Sequence, residues 1–140
     1  MLIGQDIAIL GAGVAGLAAA RALALRGARV TVYERAPAIT EVGAGLQLSP
    51  NGVAVLSALG LDAASVAMRS QGVLLVDGYS GRTVLHMDFN RYKPESAFLL
   101  IHRADLIDLL AQGARDAGVQ IKLSHIVDTV VEDSDRVTIT

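Results

Sequence analysis

The feature that most constrains the fold is a glycine-rich turn near the start of the chain. The motif Gly-Ala-Gly-Val-Ala-Gly at residues 11–16 follows the apolar segment Asp6–Leu10 directly, and an Ala- and Leu-rich segment comes after it. The pattern predicts a β-strand, a tight turn and a helix over about Val14–Arg26, which Gly27 ends in a left-handed conformation. Ala28–Tyr33 is rich in β-branched residues and predicts a second strand.

Each glycine of the motif has a physical reason to be glycine. Gly11 allows the tight turn after the strand, Gly13 lets a pyrophosphate approach the backbone, and Gly16 lets the helix lie close to the sheet. Val14 and Ala15 begin the helix. A diphosphate would be held there by unpaired N–H groups and by the positive end of the helix dipole.

Glu34 stands at the carboxyl end of the second predicted strand. Its carboxylate can accept hydrogen bonds from both ribose hydroxyls of an adenosine, and its charge would repel a 2′-phosphate. The ligand expected from this unit is therefore FAD or NAD rather than NADP. The alternative is a βαβ unit whose glycines only turn the chain, and that alternative leaves Glu34 unexplained.

Composition limits the classes of function. A chain of 140 residues has the length of one domain. With 52% hydrophobic and 19% charged residues it is slightly more apolar than a typical soluble domain, so some apolar surface is expected to be buried against something outside the chain. The net charge of −2 and the lack of a basic cluster argue against a nucleic-acid partner.

The chain has no cysteine, which excludes a disulfide framework, a cysteine metal site and a dithiol flavoprotein reductase within these residues. The histidines His86, His102 and His125 are scattered, so no metal site is predicted. No segment approaches the ~20 apolar residues of a membrane span. No basic region precedes the uncharged N-terminal segment, so a cytoplasmic protein is expected.

The remainder predicts a mixture of helices and antiparallel strands. Residues 35–48 show neither a helical nor an alternating period, so we expect a loop whose glycines, Gly43 and Gly45, line the nucleotide site. Ser49 as N-cap and Pro50 at the first position predict a helix that Gly60 ends. The later predicted elements are a helix or turn at 61–68, a hairpin of Val73–Val76 and Thr83–Met87, a polar loop at 90–96, a strand at 98–101, a helix at 103–116 with Leu106, Ile107, Leu110 and Ala114 on one face, a strand at 119–123, and a hairpin of 126–132 and 136–140.

Four segments of the chain are characteristic when taken together: Gly-Ala-Gly-Val-Ala-Gly at 11–16, Val-Tyr-Glu-Arg at 32–35, Gly-Ala-Gly-Leu-Gln-Leu-Ser-Pro-Asn at 43–51 and Ile-His-Arg-Ala-Asp-Leu at 101–106. They resemble the flavoprotein aromatic hydroxylases, in particular the salicylate and 3-hydroxybenzoate hydroxylase branch. The resemblance spans most of the chain, and the last two segments are more specific than the first.

The resemblance implies an α/β fold: a Rossmann-like FAD-binding βαβ domain with a parallel sheet and an inserted or adjacent antiparallel hairpin. Residues 1–140 would be the N-terminal part of this domain, with residues 71–98 contributing to the sheet of the substrate domain. The family's later Asp-Gly and Gly-Asp cofactor motifs are absent, so the FAD-binding domain is expected to be incomplete.

The resemblance also assigns cofactor contacts. FAD would lie across residues 11–16, Glu34 would bind the adenosine ribose, Arg35 would lie beside the adenine, and Gly45 would line the site. Arg103 would reach the pyrophosphate side. A cation at the start of a helix opposes the dipole, and a local anion would resolve that conflict. The alternative is that Arg103 pairs with Asp105 or another acid.

The implied activity is NAD(P)H-dependent hydroxylation of a phenolic or benzoate-type substrate through a flavin C4a-hydroperoxide, with NADH or NADPH as transient reductant. No catalytic residue is predicted here, because the cofactor carries the oxygen chemistry and the residues that activate the phenol are expected beyond Thr140. A homodimer of the full-length enzyme is a further expectation. The alternatives are an NAD-dependent dehydrogenase with regular βαβ alternation and a non-catalytic module that binds an adenine dinucleotide.

Overall fold

The computed structural model describes residues 2–39 and 44–140. These residues divide into two compact units, the first formed by residues 2–39 and 104–140 and the second by residues 44–103. The elements in chain order are β1 (Asp6–Leu10), α1 (Val14–Ala24), β2 (Arg29–Tyr33), β3 (Gly45–Leu48), α2 (Pro50–Ala58), a 3₁₀ helix (Ala63–Val66), β4 (Ala67–Arg69), β5 (Gly72–Val76), β6 (Thr83–Asp88), α3 (Phe89–Tyr92), β7 (Leu99–His102), α4 (Arg103–Asp116), β8 (Gln120–Lys122), β9 (Val130–Glu132) and β10 (Val137–Ile139).

The first unit is built on a parallel sheet in the order β1-β2-β8. Leu10 pairs with Tyr33, and Tyr33 pairs with Lys122, so the carboxyl ends of the three strands lie side by side. This arrangement is one half of a dinucleotide-binding fold, in which ligands bind at the carboxyl edge of the sheet. The strands β9 and β10 form a separate antiparallel pair.

Apolar side chains of both long helices form the core of the first unit. Leu17 and Ala20 of α1 and Val32 of β2 are fully buried. The face predicted for α4 is confirmed, since all four of its side chains are at most 2% exposed: Leu106, Ile107, Leu110 and Ala114. Full burial of a leucine-sized side chain stabilises a fold by about 1.5–3 kcal/mol. The Arg21 guanidinium also donates a hydrogen bond from α1 to the carbonyl of Gly113 in α4.

The second unit contains an antiparallel sheet in the order β3-β7-β4 and the hairpin β5-β6. Leu99 and Ile101 of the central strand are buried, as are Leu56 and Leu59 at the end of α2. The hairpin leaves large apolar side chains such as Leu74 and Val84 exposed.

Several predicted elements are confirmed. The bounds of β1 and α4 are those that the sequence predicts, and α1 ends two residues early, at Ala24. Gly27 has φ +95°, so it ends this segment in the left-handed conformation, as predicted. The hairpin of β5 and β6 is present, and Pro50 begins α2.

Three local predictions are wrong. Gly45–Leu48 is a strand rather than a loop, because it pairs with Leu99–His102, which lies far along the chain. Ala67–Arg69 is a strand rather than a helix or turn for the same reason, since it pairs with the other edge of β7. Phe89–Tyr92 is a short helix inside the predicted polar loop, because the Asp88 carboxylate accepts hydrogen bonds from the next backbone N–H groups.

Gly43, the other glycine of the predicted second pair, lies outside the described residues. Among the helices of residues 2–39 and 44–140, none has both the length and the apolar character needed to cross a bilayer.

Candidate functional site

The glycine turn is fixed by backbone contacts that exclude a side chain. Gly11 has φ +97°, which favours glycine, and its N–H donates to the carbonyl of Tyr33 over 2.8 Å. A Cβ atom at Gly16 would lie 2.0 Å from the carbonyl oxygen of Gly11. The first turn of α1 therefore lies directly against the turn after β1, and only glycine fits at residue 16.

Gly13 faces open space instead. It is the N-cap residue of α1 with φ −79° and ψ −178°, an extended conformation that any residue adopts. A Cβ built at Gly13 meets no atom of the described residues within 4 Å. Val14 and Ala15 follow as the first two residues of the helix. Because they begin the helix, no preceding helical carbonyl accepts a hydrogen bond from their N–H groups. The helix dipole is also positive at this end, so this end of α1 suits an anion.

Glu34 is held at the side of this turn by two backbone donors. The N–H of Ala12 donates to Oε2 over 2.7 Å, and the N–H of Ala36 donates to Oε1 over 2.8 Å. These bonds, the one from Ala12 first, lower the pKa of the Glu34 carboxyl below its ordinary value. Glu34 is therefore a carboxylate at neutral pH. Each of its oxygens accepts one of these bonds and keeps a second lone-pair direction, so both oxygens can still accept a hydroxyl.

The hydrogen bond from the Ala12 N–H to Glu34 is a contact within the site that the sequence does not predict. From the sequence, Glu34 is expected to bind a ribose only. The parallel pairing of Leu10 with Tyr33 places the residues after each strand next to each other, and no residue pattern along the chain signals this register. Glu34 therefore has a structural partner in the glycine turn as well as free capacity to bind a ligand.

Glu34 also lines two neighbouring cavities of the first unit. The cavity on one side has a volume of about 190 Å³ and includes Gly11, Arg35 and His125 in its wall. The other has a volume of about 160 Å³ and includes Ala12 and Gly13. Glu34 is thus shared by a cavity lined by Arg35 and a cavity lined by Ala12 and Gly13 of the glycine turn. A nucleoside diphosphate has matching parts: a base, a ribose in the middle and an anionic end.

Gly45 and Arg103, the other two predicted site residues, lie in the second unit. Gly45 begins β3 and pairs with His102, the residue before Arg103. A Cβ at Gly45 would be 4.0 Å from the carbonyl oxygen of Ile101, an ordinary contact, so strand packing does not demand glycine. Arg103 is the exposed first residue of α4. The structure brings these two together, and their cofactor roles stay predictions.

The first unit fits the adenosine diphosphate half of FAD. It offers an ionised acceptor with free lone pairs for a ribose, an open glycine at a helix N-terminus for a diphosphate, and a cavity beside Glu34 for a base. The negative charge of Glu34 opposes a 2′-phosphate. The site residues of the first unit that the sequence predicts, residues 11–16 with Glu34 and Arg35, all lie at this carboxyl edge of the sheet.

Comparisons with known proteins agree with this geometry. Residues 5–140 match the model of the FAD binding domain family. The 3-hydroxybenzoate 6-hydroxylase 1 of Aquipseudomonas alcaligenes is 35% identical over 139 residues, which cover 95% of this chain and 35% of that protein. The 3-amino-4-hydroxybenzoate 2-monooxygenase of Streptomyces cremeus is 43% identical over 105 residues, which cover 71% of this chain and 27% of that protein.

Solved structures give the same result. The tetrameric form of 2-methyl-3-hydroxypyridine-5-carboxylic acid oxygenase superposes with a TM-score of 0.81 at 28% identity, covering 96% of this chain and 35% of that one. The chain spans about a third of the length of the relatives it matches. The expected α/β fold and the FAD cofactor are confirmed, as is the resemblance to aromatic hydroxylases. Its relatives over most of its length are named as hydroxylases or monooxygenases of aromatic compounds. The chain belongs to the FAD binding domain family.

Proposed function

We propose that this chain holds the adenosine diphosphate half of FAD in an NAD(P)H-dependent monooxygenase that hydroxylates an aromatic ring. The observation that carries the proposal is the Glu34 carboxylate, fixed by the N–H groups of Ala12 and Ala36 beside the open glycine turn. This arrangement gives a ribose two preoriented acceptors next to a helix end that suits a diphosphate.

Different residues of the first unit bind different parts of the nucleotide. The open backbone at Gly13 and the N–H groups of Val14 and Ala15 receive the diphosphate, while Gly11 and Gly16 hold the turn against the helix. Glu34 orients the ribose, and Arg35, which lines the same cavity, lies beside the adenine.

In the second unit, Gly45 lines the cofactor site and Arg103 reaches the pyrophosphate side. Bound FAD supplies the oxygen chemistry, and the protein positions it. Residues 1–140 form the N-terminal part of the FAD-binding domain, and residues 71–98 contribute to the sheet of the substrate domain.

The substrate class that we propose is a small phenolic or benzoate-type aromatic compound, with NADH or NADPH as the reductant. The support is the pair of relatives whose names state hydroxylation of a hydroxybenzoate. A homodimer and a cytoplasmic location of the whole protein complete the proposal. The NAD-dependent dehydrogenase is disfavoured because the antiparallel sheets of the second unit break regular βαβ alternation.

The cofactor part of the proposal is tested by calorimetric titration of the purified chain with FAD, ADP and NAD in parallel. We expect FAD and ADP to bind, and FAD to bind at least as tightly as ADP. Clear preference for NAD over FAD would support the dehydrogenase instead. Failure of all three to bind would refute the assignment of the site.

The activity is tested on the whole protein encoded by the gene. Oxygen consumption is measured with FAD, with NADH or NADPH, and with 3-hydroxybenzoate or related phenols. The proposal predicts that an aromatic substrate stimulates oxygen consumption and gains a hydroxyl group, measured by mass spectrometry as incorporation of one atom of labelled oxygen. An FAD-loaded protein that consumes no oxygen and hydroxylates none of a panel of phenols and benzoates would contradict it.

A further inference from the structure

We propose that His125 is a specificity-determining residue of the adenosine site and recognises the 6-amino group of the adenine base. The inference rests on the proposed function of the site and adds a residue to it that the sequence analysis treated only as a scattered histidine. Three features carry it: the backbone that positions His125, the hydrogen bond that orients its ring, and the cavity that the ring lines.

The backbone before His125 has an uncommon conformation that is fastened to the Glu34 segment. Ser124 has φ +55°, and it is the one residue other than glycine with a positive φ among residues 2–39 and 44–140. Its N–H donates to the carbonyl of Ala36 over 3.0 Å, and the N–H of His125 donates to the carbonyl of Glu34 over 2.9 Å. The turn after β8 is therefore hydrogen-bonded to the backbone on both sides of Arg35, next to the residue whose carboxylate faces the ribose.

The imidazole ring is oriented by its own contacts. Nδ1 lies 2.7 Å from the carbonyl oxygen of Leu123. A carbonyl oxygen can only accept, so Nδ1 carries the hydrogen, and in a neutral imidazole Nε2 is then an acceptor. The ring of Tyr33 lies 5.9 Å away, centroid to centroid, at a tilted angle of 54°. The Lys122 ammonium also lies over the Tyr33 ring, 5.3 Å from its centroid.

His125 lines the same cavity as Gly11, Glu34 and Arg35. With the ribose on Glu34 and the diphosphate above Gly13, the base of the nucleotide occupies this cavity. Adenine carries a hydrogen-bond donor at its 6-amino group, whereas hypoxanthine carries a carbonyl oxygen at the same position. An Nε2 acceptor stabilises the first base and repels the second, so His125 gives the site a preference for adenine.

The test compares ADP with inosine diphosphate, which has a carbonyl oxygen in place of the 6-amino group and a hydrogen on N1. Both are titrated calorimetrically into the purified chain and into His125→Phe, which keeps a ring against Tyr33 but has no acceptor. His86→Phe is the matched control, because it replaces an exposed histidine on β6 of the second unit. Circular dichroism of all three proteins verifies that they fold.

We expect the chain and His86→Phe to bind ADP about 3- to 10-fold more tightly than inosine diphosphate, the size of one hydrogen bond. In His125→Phe this preference disappears, mainly through weaker binding of ADP. An unchanged preference in His125→Phe would overturn the inference while leaving the proposed function intact. Absence of ADP binding by the unmodified chain would overturn both, and a Glu34→Leu variant that binds ADP normally would refute the site itself.

Discussion

The two glycines Gly16 and Gly13 test the site well, because the same substitution is expected to lower stability at Gly16 but not at Gly13. In Gly16→Ala the new Cβ would lie 2.0 Å from the carbonyl oxygen of Gly11, whereas an ordinary contact begins at 3.4 Å. The start of α1 must therefore move by about 1.4 Å, the difference between these two distances. The clash is with backbone, so no side-chain rotation relieves it.

The expected cost of Gly16→Ala is about 1–3 kcal/mol, as for other overpacked sites. A chain of 140 residues has an unfolding entropy of about 290 cal/mol/K, so each kcal/mol shifts Tm by about 3 °C. We therefore expect Tm to fall by about 3–10 °C. ADP binding weakens as well, because the turn that supplies the N–H groups is displaced.

Gly13→Ala is the matched variant. Its Cβ meets no atom of the described residues within 4 Å, and φ −79° suits alanine. Loss of glycine at the N-cap destabilises the helix, whereas the reduced entropy of the unfolded chain stabilises the protein. Each effect is below about 1 kcal/mol, so Tm stays within about 3 °C. The added methyl group occupies the space of the diphosphate, and we expect ADP affinity to fall about 10- to 100-fold, the size of one charge-assisted hydrogen bond.

Both variants are measured by thermal unfolding, followed by circular dichroism, and by calorimetric titration with ADP. We expect Gly16→Ala to lose thermal stability and Gly13→Ala to lose ADP affinity without losing thermal stability. A Gly16→Ala protein with unchanged Tm would refute the packing argument. A Gly13→Ala protein with unchanged ADP affinity would refute the assignment of the diphosphate.

Two further predictions concern stability. Glu34→Gln destabilises the fold at neutral pH, because one backbone N–H of Ala12 or Ala36 then faces an amide donor. The folded pKa of Glu34 is lowered, so the carboxylate contributes to the free energy of unfolding above the ordinary carboxyl pKa, and this contribution is lost as pH falls through the folded pKa. Urea unfolding should therefore show that the difference in free energy of unfolding between Glu34→Gln and the unmodified protein shrinks below about pH 4. A difference that grows in acid would contradict this. Leu110→Ala removes a fully buried side chain and lowers the free energy of unfolding by about 2–5 kcal/mol. Leu109→Ala, at a half-buried position of the same helix, lowers it by less. Equal losses of free energy in chemical unfolding would refute the assigned buried face of α4.

The sequence predicts best where local patterns and tertiary structure agree. β1 is a short apolar segment before a glycine turn, and α4 combines a helical period with a buried face, so both have the predicted bounds. Gly27 is another such case, because its φ of +95° is the left-handed conformation that glycine commonly adopts after a helix.

Prediction fails where the partner lies far along the chain. Gly45–Leu48 and Ala67–Arg69 have little strand character of their own, and both become strands because Leu99–His102 offers two free edges. The end of α1 is a smaller error: residues 25–27 continue the chain as a turn rather than as helix.

In the candidate site, too, local sequence patterns predict some features, whereas others depend on tertiary structure. Residue types and spacing predict the glycine turn and Glu34, because the chemistry of a dinucleotide demands them. The bond between Glu34 and Ala12 depends on the register of two parallel strands, and the place of His125 depends on the left-handed turn at Ser124. Neither depends on a residue pattern along the chain.

The central claim is that the Glu34 carboxylate and the glycine turn hold the adenosine diphosphate of FAD, and a crystal structure of the chain with FAD tests it most directly. The account predicts that the ribose hydroxyls lie within hydrogen-bond distance of the Glu34 carboxylate, about 2.5–3.0 Å. It also predicts the diphosphate over Gly13, against the N–H groups that begin α1. A dinucleotide bound elsewhere, or a ribose that makes no hydrogen bond to Glu34, would contradict the account.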